Sequence, residues 1–257
     1  PDDTQYLIDR KNHFYAGFKR LSIIDLSNNG SQPMKSFDER FTILFNGEIY
    51  NFKDIKKKLL VSNTSNSQIN FKGTSDTEVL INCFSLFGVD KTLSLIEGQY
   101  AIALWDDFKK IFYLIRDRFG EKPLYYGTVN NTFIFSSELK AISIFPNFNQ
   151  SISKKSLEYY LRFLSVPEPK TIYENIFKVQ SSEIVTLNFQ NNRFSLNDTS
   201  IVTKKQYWSP KNIAIQAKNN LFDDYEISQN QIEKSLRESI KLQSYADVPI
   251  GRFLSGG

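Results

Sequence analysis

Along this chain the apolar positions fall into short runs and helical stripes separated by polar breaks, and these predict the elements. Residues 14–24 and 41–45 are aromatic and β-branched between clusters of Asn, Gly and Ser, which predicts two strands. The second is expected to end at Asn46-Gly47 in a tight turn. Asn51 is then placed to cap a helix whose Phe52, Ile55, Leu59 and Leu60 share one face, with lysines opposite. Residues 62–68 are polar and low in complexity and read as a loop. Ser75-Asp76-Thr77-Glu78 opens a second helix carrying Val79, Leu80, Cys83, Phe84 and Phe87, expected to end at Gly88.

Four apolar runs follow, at residues 100–105, 111–115, 123–128 and 132–135. The turns between them predict an antiparallel meander, and the first two runs lack alternation, so both faces of that sheet should be covered. Helices are expected over 138–144 and 153–164, and short strands over 183–188 and 193–196. Sheets and helices are segregated along the chain, which predicts α+β layers and not a βαβ repeat. Residues 211–220, rich in Asn and Lys with weak periodicity, read as a linker. Over 223–244 the positions Ile232, Leu236, Ile240 and Leu242 recur at near-helical spacing, and the apolar run 248–254 then resembles a buried strand. A second domain is expected to begin there, in the manner of a parallel α/β nucleotide-binding sheet.

Composition narrows the class. With 257 residues, 40% hydrophobic, 23% charged, 11 Gly and 8 Pro, the chain has the make-up of a globular protein of one large or two unequal domains. Lys and Arg number 32 against 28 Asp and Glu, a net +4 spread without a dense basic block, so no nucleic-acid footprint stands out. No run approaches the roughly 20 apolar residues of a membrane span. The single cysteine, Cys83, and single histidine, His13, can form neither an internal disulfide nor a Cys/His metal cage, and a cytoplasmic setting is expected. Pro1-Asp2-Asp3 is an unnatural start and the glycine turn after Leu254 an unnatural stop; the expectation is a fragment cut at both ends.

Four places could carry chemistry. The strand 41–45 delivers Asn46-Gly47-Glu48, where a backbone N–H and a side-chain amide could converge as an oxyanion hole. On its length alone, however, the motif fits a plain Asn-Gly turn better. Arg20, between apolar neighbours, is either a structural ion-pair partner or a fork for a carboxylate. Asp76 at a helix start is by itself most simply a cap. Together, one cation and two acids would suit an α-amino acid. Ser255-Gly256-Gly257 after an apolar run could cradle phosphate, although a glycine turn is the simpler reading. Cys83 lies in the apolar stripe of its helix and reads as core.

These residues also stand in ordered motifs. Arg20-Leu21-Ser22-Ile23-Ile24-Asp25-Leu26, Gln32-Pro33-Met34, Phe45-Asn46-Gly47-Glu48-Ile49-Tyr50-Asn51, Ser75-Asp76-Thr77-Glu78, Arg116-Asp117-Arg118-Phe119-Gly120 with Lys122-Pro123-Leu124-Tyr125-Tyr126, and Phe135-Ser136-Ser137-Glu138 closely resemble the glutamine-hydrolysing asparagine synthetases in order and spacing. Asp247-Val248-Pro249-Ile250-Gly251 and Phe253-Leu254-Ser255-Gly256-Gly257 resemble the opening of that family's synthetase domain. The resemblance implies an αββα N-terminal-nucleophile sandwich, a class II glutamine amidotransferase domain over 1–208. A linker at 209–222 and the truncated start of an α/β ATP-pyrophosphatase-type synthetase domain at 223–257 would follow.

It further implies that Arg20 holds the glutamine α-carboxylate and that Leu21, Ser22, Ile23 and Ile24 line the pocket. Asn46 and Gly47 form the oxyanion hole, Glu48 and Asp76 take the ammonium side, and Phe253, Leu254, Ser255, Gly256 and Gly257 approach ATP with Mg2+. The nucleophilic N-terminal cysteine is absent from these residues, so the fragment alone is expected to be inactive. Glutamine, aspartate and ATP are the implied partners, without nucleic acid or membrane, and with a homodimer as the expected assembly. The turn 116–122 and Glu138 are expected to serve the fold or a domain interface. Phe18, Ser31 and residues 178–182 depart from the family pattern, the last casting doubt on the loop before Glu183. Relatives amidating sugar acids or other carboxylates, and a β-lactam-synthetase-like or scaffold protein without glutaminase activity, are the alternatives.

Overall fold

A computed structural model describes residues 2–61, 69–130, 132–189, 201–218, 221–222 and 224–251. The chain forms two compact units. One comprises Pro1–Phe37, Ile49–Glu97 and Ser209–Gly257, the other Asp38–Glu48 and Gly98–Trp208.

The first unit opens with a hairpin of β1 (Asp3–Asp9) and β2 (Phe14–Arg20), paired antiparallel from Asp3↔Arg20 to Asp9↔Phe14. The strand predicted to reach Ile24 stops at Arg20, because the residues beyond it fold around that side chain. A short β3 (Met34–Lys35), α1 (Phe52–Val61) and α2 (Asp76–Leu95) follow. The buried face of α1 is Phe52, Ile55 and Leu59, as its spacing predicts; Leu60 is exposed. Asn51 does not cap α1 with its side chain. Its amide instead donates to Leu95 O at 2.9 Å and accepts from Glu97 N at 3.0 Å. Gly88 breaks regular helix with φ +75°, yet a further helical stretch runs on from it to Leu95. Residues 211–220, read as linker, are largely helical: Ser209 caps α5 (Pro210–Ala217), with proline at its first turn. The last helix, α6 (Tyr225–Gln243), is capped by Asp224, and neither α5 nor α6 buries a residue.

In the second unit β4 (Phe41–Ile49, less its last residue), β5 (Gly98–Asp106), β6 (Ile111–Arg116), β10 (Glu183–Asn188) and β11 (Val202–Gln206) lie in the order β11-β10-β6-β5-β4. Phe41, Ile43, Leu44 and Phe45 are all buried, as are residues 100–106, so side chains on both faces of these strands are covered. The expected single meander is in fact split. β7 (Tyr125–Val129) and β8 (Thr132–Ser136) leave that sheet and form a second one with β9 (Ile176–Lys178), in the order β8-β7-β9. Phe112 of β6 packs its ring against Phe133 and Phe135 of β8, at 6.0 and 5.0 Å between centroids.

The helices α3 (Leu139–Ser143) and α4 (Lys154–Phe163) fall where periodicity places them, the second capped by Ser153. The strand expected over 193–196 lies outside the described residues. Of the run 248–254, residues 248–251 are irregular, and the rest lies outside.

Candidate active site

Arg20 ends β2 with its guanidinium buried. Nη1 donates to Ser27 O at 2.9 Å, and Nη2 donates to Ile24 O at 3.1 Å and to Asp25 O. Three of its five N–H groups therefore hold the loop 24–27 in place. Gly30 makes this possible, since a Cβ there would collide with the guanidinium. Leu21 is exposed, Ile24 buried, and Ser22 donates its N–H to Asp2 Oδ2 at 2.8 Å.

Asp25, to which the sequence reading gave no role, is the hub of this loop. Its φ is +59°, and its buried carboxylate accepts from Thr74 N at 2.7 Å, Ser27 N at 3.0 Å and the Ser27 hydroxyl. Burial alone would raise its pKa. The Ser27 hydroxyl, the Thr74 and Ser27 N–H groups and the nearby Arg20 charge outweigh burial and hold the carboxyl below the usual range. Gly73 lies against it, where a Cβ would collide with Asp25 Oδ2.

Asp76 is the first residue of α2. The cap is its neighbour Ser75, whose hydroxyl accepts from Glu78 N at 3.2 Å. Asp76 is buried and accepts from Ile49 N at 2.9 Å and Thr77 N at 2.8 Å. Its carboxylate thus fixes the chain where β4 passes into the first unit. Glu78, also missed, accepts from Lys72 N at 2.7 Å and Gly73 N at 2.9 Å. It holds the loop that carries Thr74 to Asp25. The Ser-x-x-Glu spacing signals a capping box, but the glutamate is diverted to this loop.

In the second unit the expected turn at Asn46-Gly47 is absent: β4 continues straight through Asn46, Gly47 and Glu48. Glycine is required for a different reason. Its φ is +156°, and a Cβ would collide with Gln99 O and lie 2.8 Å from Tyr100 Cα on β5. The side chains of Asn46 and Glu48 are half-buried and make no hydrogen bond with any described residue. Burial pushes the Glu48 carboxyl above the ordinary range, partly offset by the Lys122 ammonium. A half-buried amide, a constrained backbone and an under-stabilised carboxylate stand in succession on one strand. This trio can donate to an anion at one end and accept from a cation at the other.

The residues predicted from sequence therefore fall into two groups: Arg20, Leu21, Ser22, Ile23, Ile24 and Asp76 in the first unit, and Asn46, Gly47 and Glu48 in the second. Phe253, Leu254, Ser255, Gly256 and Gly257 lie outside the described residues. Cys83 is fully buried in α2, and burial pushes its thiol up to about 11, which leaves almost no thiolate at neutral pH. No group of three or more His, Cys, Asp or Glu able to hold a metal occurs among the described residues. No described helix is long and apolar enough to cross a membrane.

The turn 116–122 serves the fold. Arg116 donates to Lys122 O, Gly120 O and Val179 O and pairs with Glu168. Asp117 accepts from the N–H groups of Phe119, Glu121 and Lys122. The same two residues secure the divergent loop before Glu183, through Val179 O and through Ser182 N, which donates to Asp117 O at 2.8 Å.

An α+β chain with these motifs on these strands and loops has the make-up of an amidotransferase, and the family model described as a glutamine amidotransferase domain matches residues 1–208. The chain belongs to that family, and its N-terminal-nucleophile fold class follows. Over the whole chain it is 32% identical to asparagine synthetase [glutamine-hydrolyzing] 1 of Bacillus subtilis and 34% identical to putative asparagine synthetase [glutamine-hydrolyzing] 2 of Methanocaldococcus jannaschii. It spans only 37% and 49% of the lengths of these relatives. Among solved structures, a glutamine phosphoribosylpyrophosphate amidotransferase from B. subtilis aligns with TM-score 0.47 and 18% identity, over 75% of this chain and 34% of that one.

Proposed function

We propose that this chain is the glutamine-hydrolysing part of an asparagine synthetase. The observation that carries the reading is the trio on β4. The Asn46 amide makes no hydrogen bond with a described residue, and the Gly47 backbone is held by its close approach to β5. The backbone donor is thus in place before substrate arrives, and the amide beside it is open to a ligand; together they suit a developing oxyanion. In this reading Arg20 receives the glutamine α-carboxylate beside residues 21–24, and Glu48 and Asp76 take the α-ammonium side.

The nucleophile is a cysteine outside these residues, since Cys83 is buried and protonated. Its thiolate adds to the side-chain carbonyl of glutamine, and the negative charge passes to the oxygen facing Asn46 and Gly47. The C–N bond then breaks, a proton goes to the departing nitrogen, and ammonia leaves. Water cleaves the thioester to glutamate. Residues 1–208 form this domain, 209–222 the connection, and 223–257 the beginning of a domain that uses ATP with Mg2+ to activate aspartate for the ammonia.

The test uses the complete gene product. It should release glutamate from glutamine. Asn46→Ala should lower that turnover on the order of 10²-fold, and Arg20→Ala should raise the KM for glutamine, while ammonium salts still support synthesis in both variants. A complete protein that releases no glutamate overturns the proposal.

A further inference from the structure

We infer that Asp247 is a positioning residue for the glutamine site: it clamps the loop that Arg20 organises. The inference rests on the function proposed above. Asp247 stands 222 positions along the chain from Asp25, in the segment that follows α6. Its N–H donates to Ile23 O at 2.9 Å, and its Oδ2 accepts from Asp25 N at 2.8 Å. These two bonds grip the peptide groups on either side of Ile24, whose own carbonyl accepts from Arg20 Nη2 at 3.1 Å.

Asp25 has a left-handed backbone, an unfavourable conformation for a residue with a side chain, so it needs bonds that over-determine it. The Thr74 N–H fixes its carboxylate and Asp247 fixes its amide. The clamp is itself held. Tyr245, two residues earlier, packs its ring on Phe52 at 5.5 Å between centroids, and the Lys53 ammonium lies 3.6 Å from the centre of that ring. The segment 245–247 is thus docked on α1 and on the Arg20 loop at once. Loosening Asp247 frees Asp25 to leave its left-handed state, shifts the carbonyls of Ile24 and Asp25, and with them the direction of the Arg20 guanidinium. Glutamine binding is then impaired without any change to a residue that touches glutamine.

Two variants of the complete protein test this. Asp247→Ala keeps the backbone bond to Ile23 and removes the acceptor for Asp25. Asp247→Asn keeps an oxygen acceptor of the same reach. In Asp247→Ala the Asp25 amide should exchange its hydrogen faster, and the KM for glutamine should rise about 2- to 30-fold, the range for residues coupled through a packed network. Turnover at saturating glutamine and ammonia-supported synthesis should hold. Asp247→Asn should restore most of both exchange protection and KM.

Unchanged exchange at Asp25 overturns the inference, as does faster exchange with an unaltered KM. A parallel loss of glutamine- and ammonia-supported synthesis in Asp247→Ala also overturns it, by placing the residue in the common reaction. If the unaltered protein hydrolyses no glutamine, the function proposed above falls, and the exchange rate at Asp25 still decides whether the clamp exists.

Discussion

Glu48 combines half-burial with a raised carboxyl pKa, and the two act in opposite directions on stability and on binding. In the folded chain it holds a proton more tightly than in the unfolded chain, so ionising it costs the fold. That cost is fully present above its raised pKa and disappears once pH falls below the ordinary value near 4.5. Glu48→Gln should therefore raise the melting temperature at pH 7, with the gain shrinking to nothing as pH drops through that interval. A bound α-ammonium reverses the preference, because it favours the ionised form. Glutamine affinity should accordingly fall over the same interval in the unaltered protein and be flat there in Glu48→Gln. Thermal melts and glutamine KM, each measured as a function of pH, check the two halves.

Among the elements, α2 and α6 are both helices the sequence predicts, and they contribute unequally to the fold: residues 76–84 of α2 are buried all round, whereas α6 buries none. Phe84 of α2 is fully buried, and Phe84→Ala should cost about 3–5 kcal/mol. On α6, Ile232, Leu236 and Ile240 stay 61%, 58% and 53% exposed, so Leu236→Ser should change stability by no more than about 0.5 kcal/mol. Urea titrations of the two variants separate these outcomes. Periodicity located both helices equally well; it reports which face is apolar and says nothing of what covers that face.

The same limit explains the elements the sequence hid. Asn46-Gly47 carries the local signal of a turn, yet the strand runs on, and the glycine serves the close approach of β5, a long-range fact. In β1 only the pairing with β2 makes a strand of residues 3–9. By contrast, the start of α5 was legible in Ser209-Pro210, a cap followed by proline, and composition rich in Asn and Lys obscured it.

For the molecule as a whole, each unit is assembled from segments distant in sequence, and this decides what could be read in advance. Arg20, Asn46, Glu48 and Asp76 drew attention in the sequence because short motifs surround them. The roles of Asp25, Glu78 and Asp247 were not, since each acts through backbone groups that the fold brings to it. Cys83 was legible as core from its helical stripe alone. It is the single thiol of the 257 residues. A thiol reagent at pH 7 should therefore modify this chain only as fast as α2 opens, and urea should accelerate labelling in step with the loss of helix. Rapid labelling under native conditions would place Cys83 outside the core.

The amide of Asn51 stands in for a peptide group, offering an N–H to Leu95 and an oxygen to the Glu97 N–H in one plane. Only a side chain with both a donor and an acceptor can fill that place. Spontaneous hydrolysis of this amide to the acid, a slow chemical ageing, would leave the contact to Glu97 and set a carboxylate oxygen against the Leu95 carbonyl. One lost amide thus turns attraction into repulsion at the end of α2, so the chemical age of a preparation would register there as a loosening of the chain between α2 and β5.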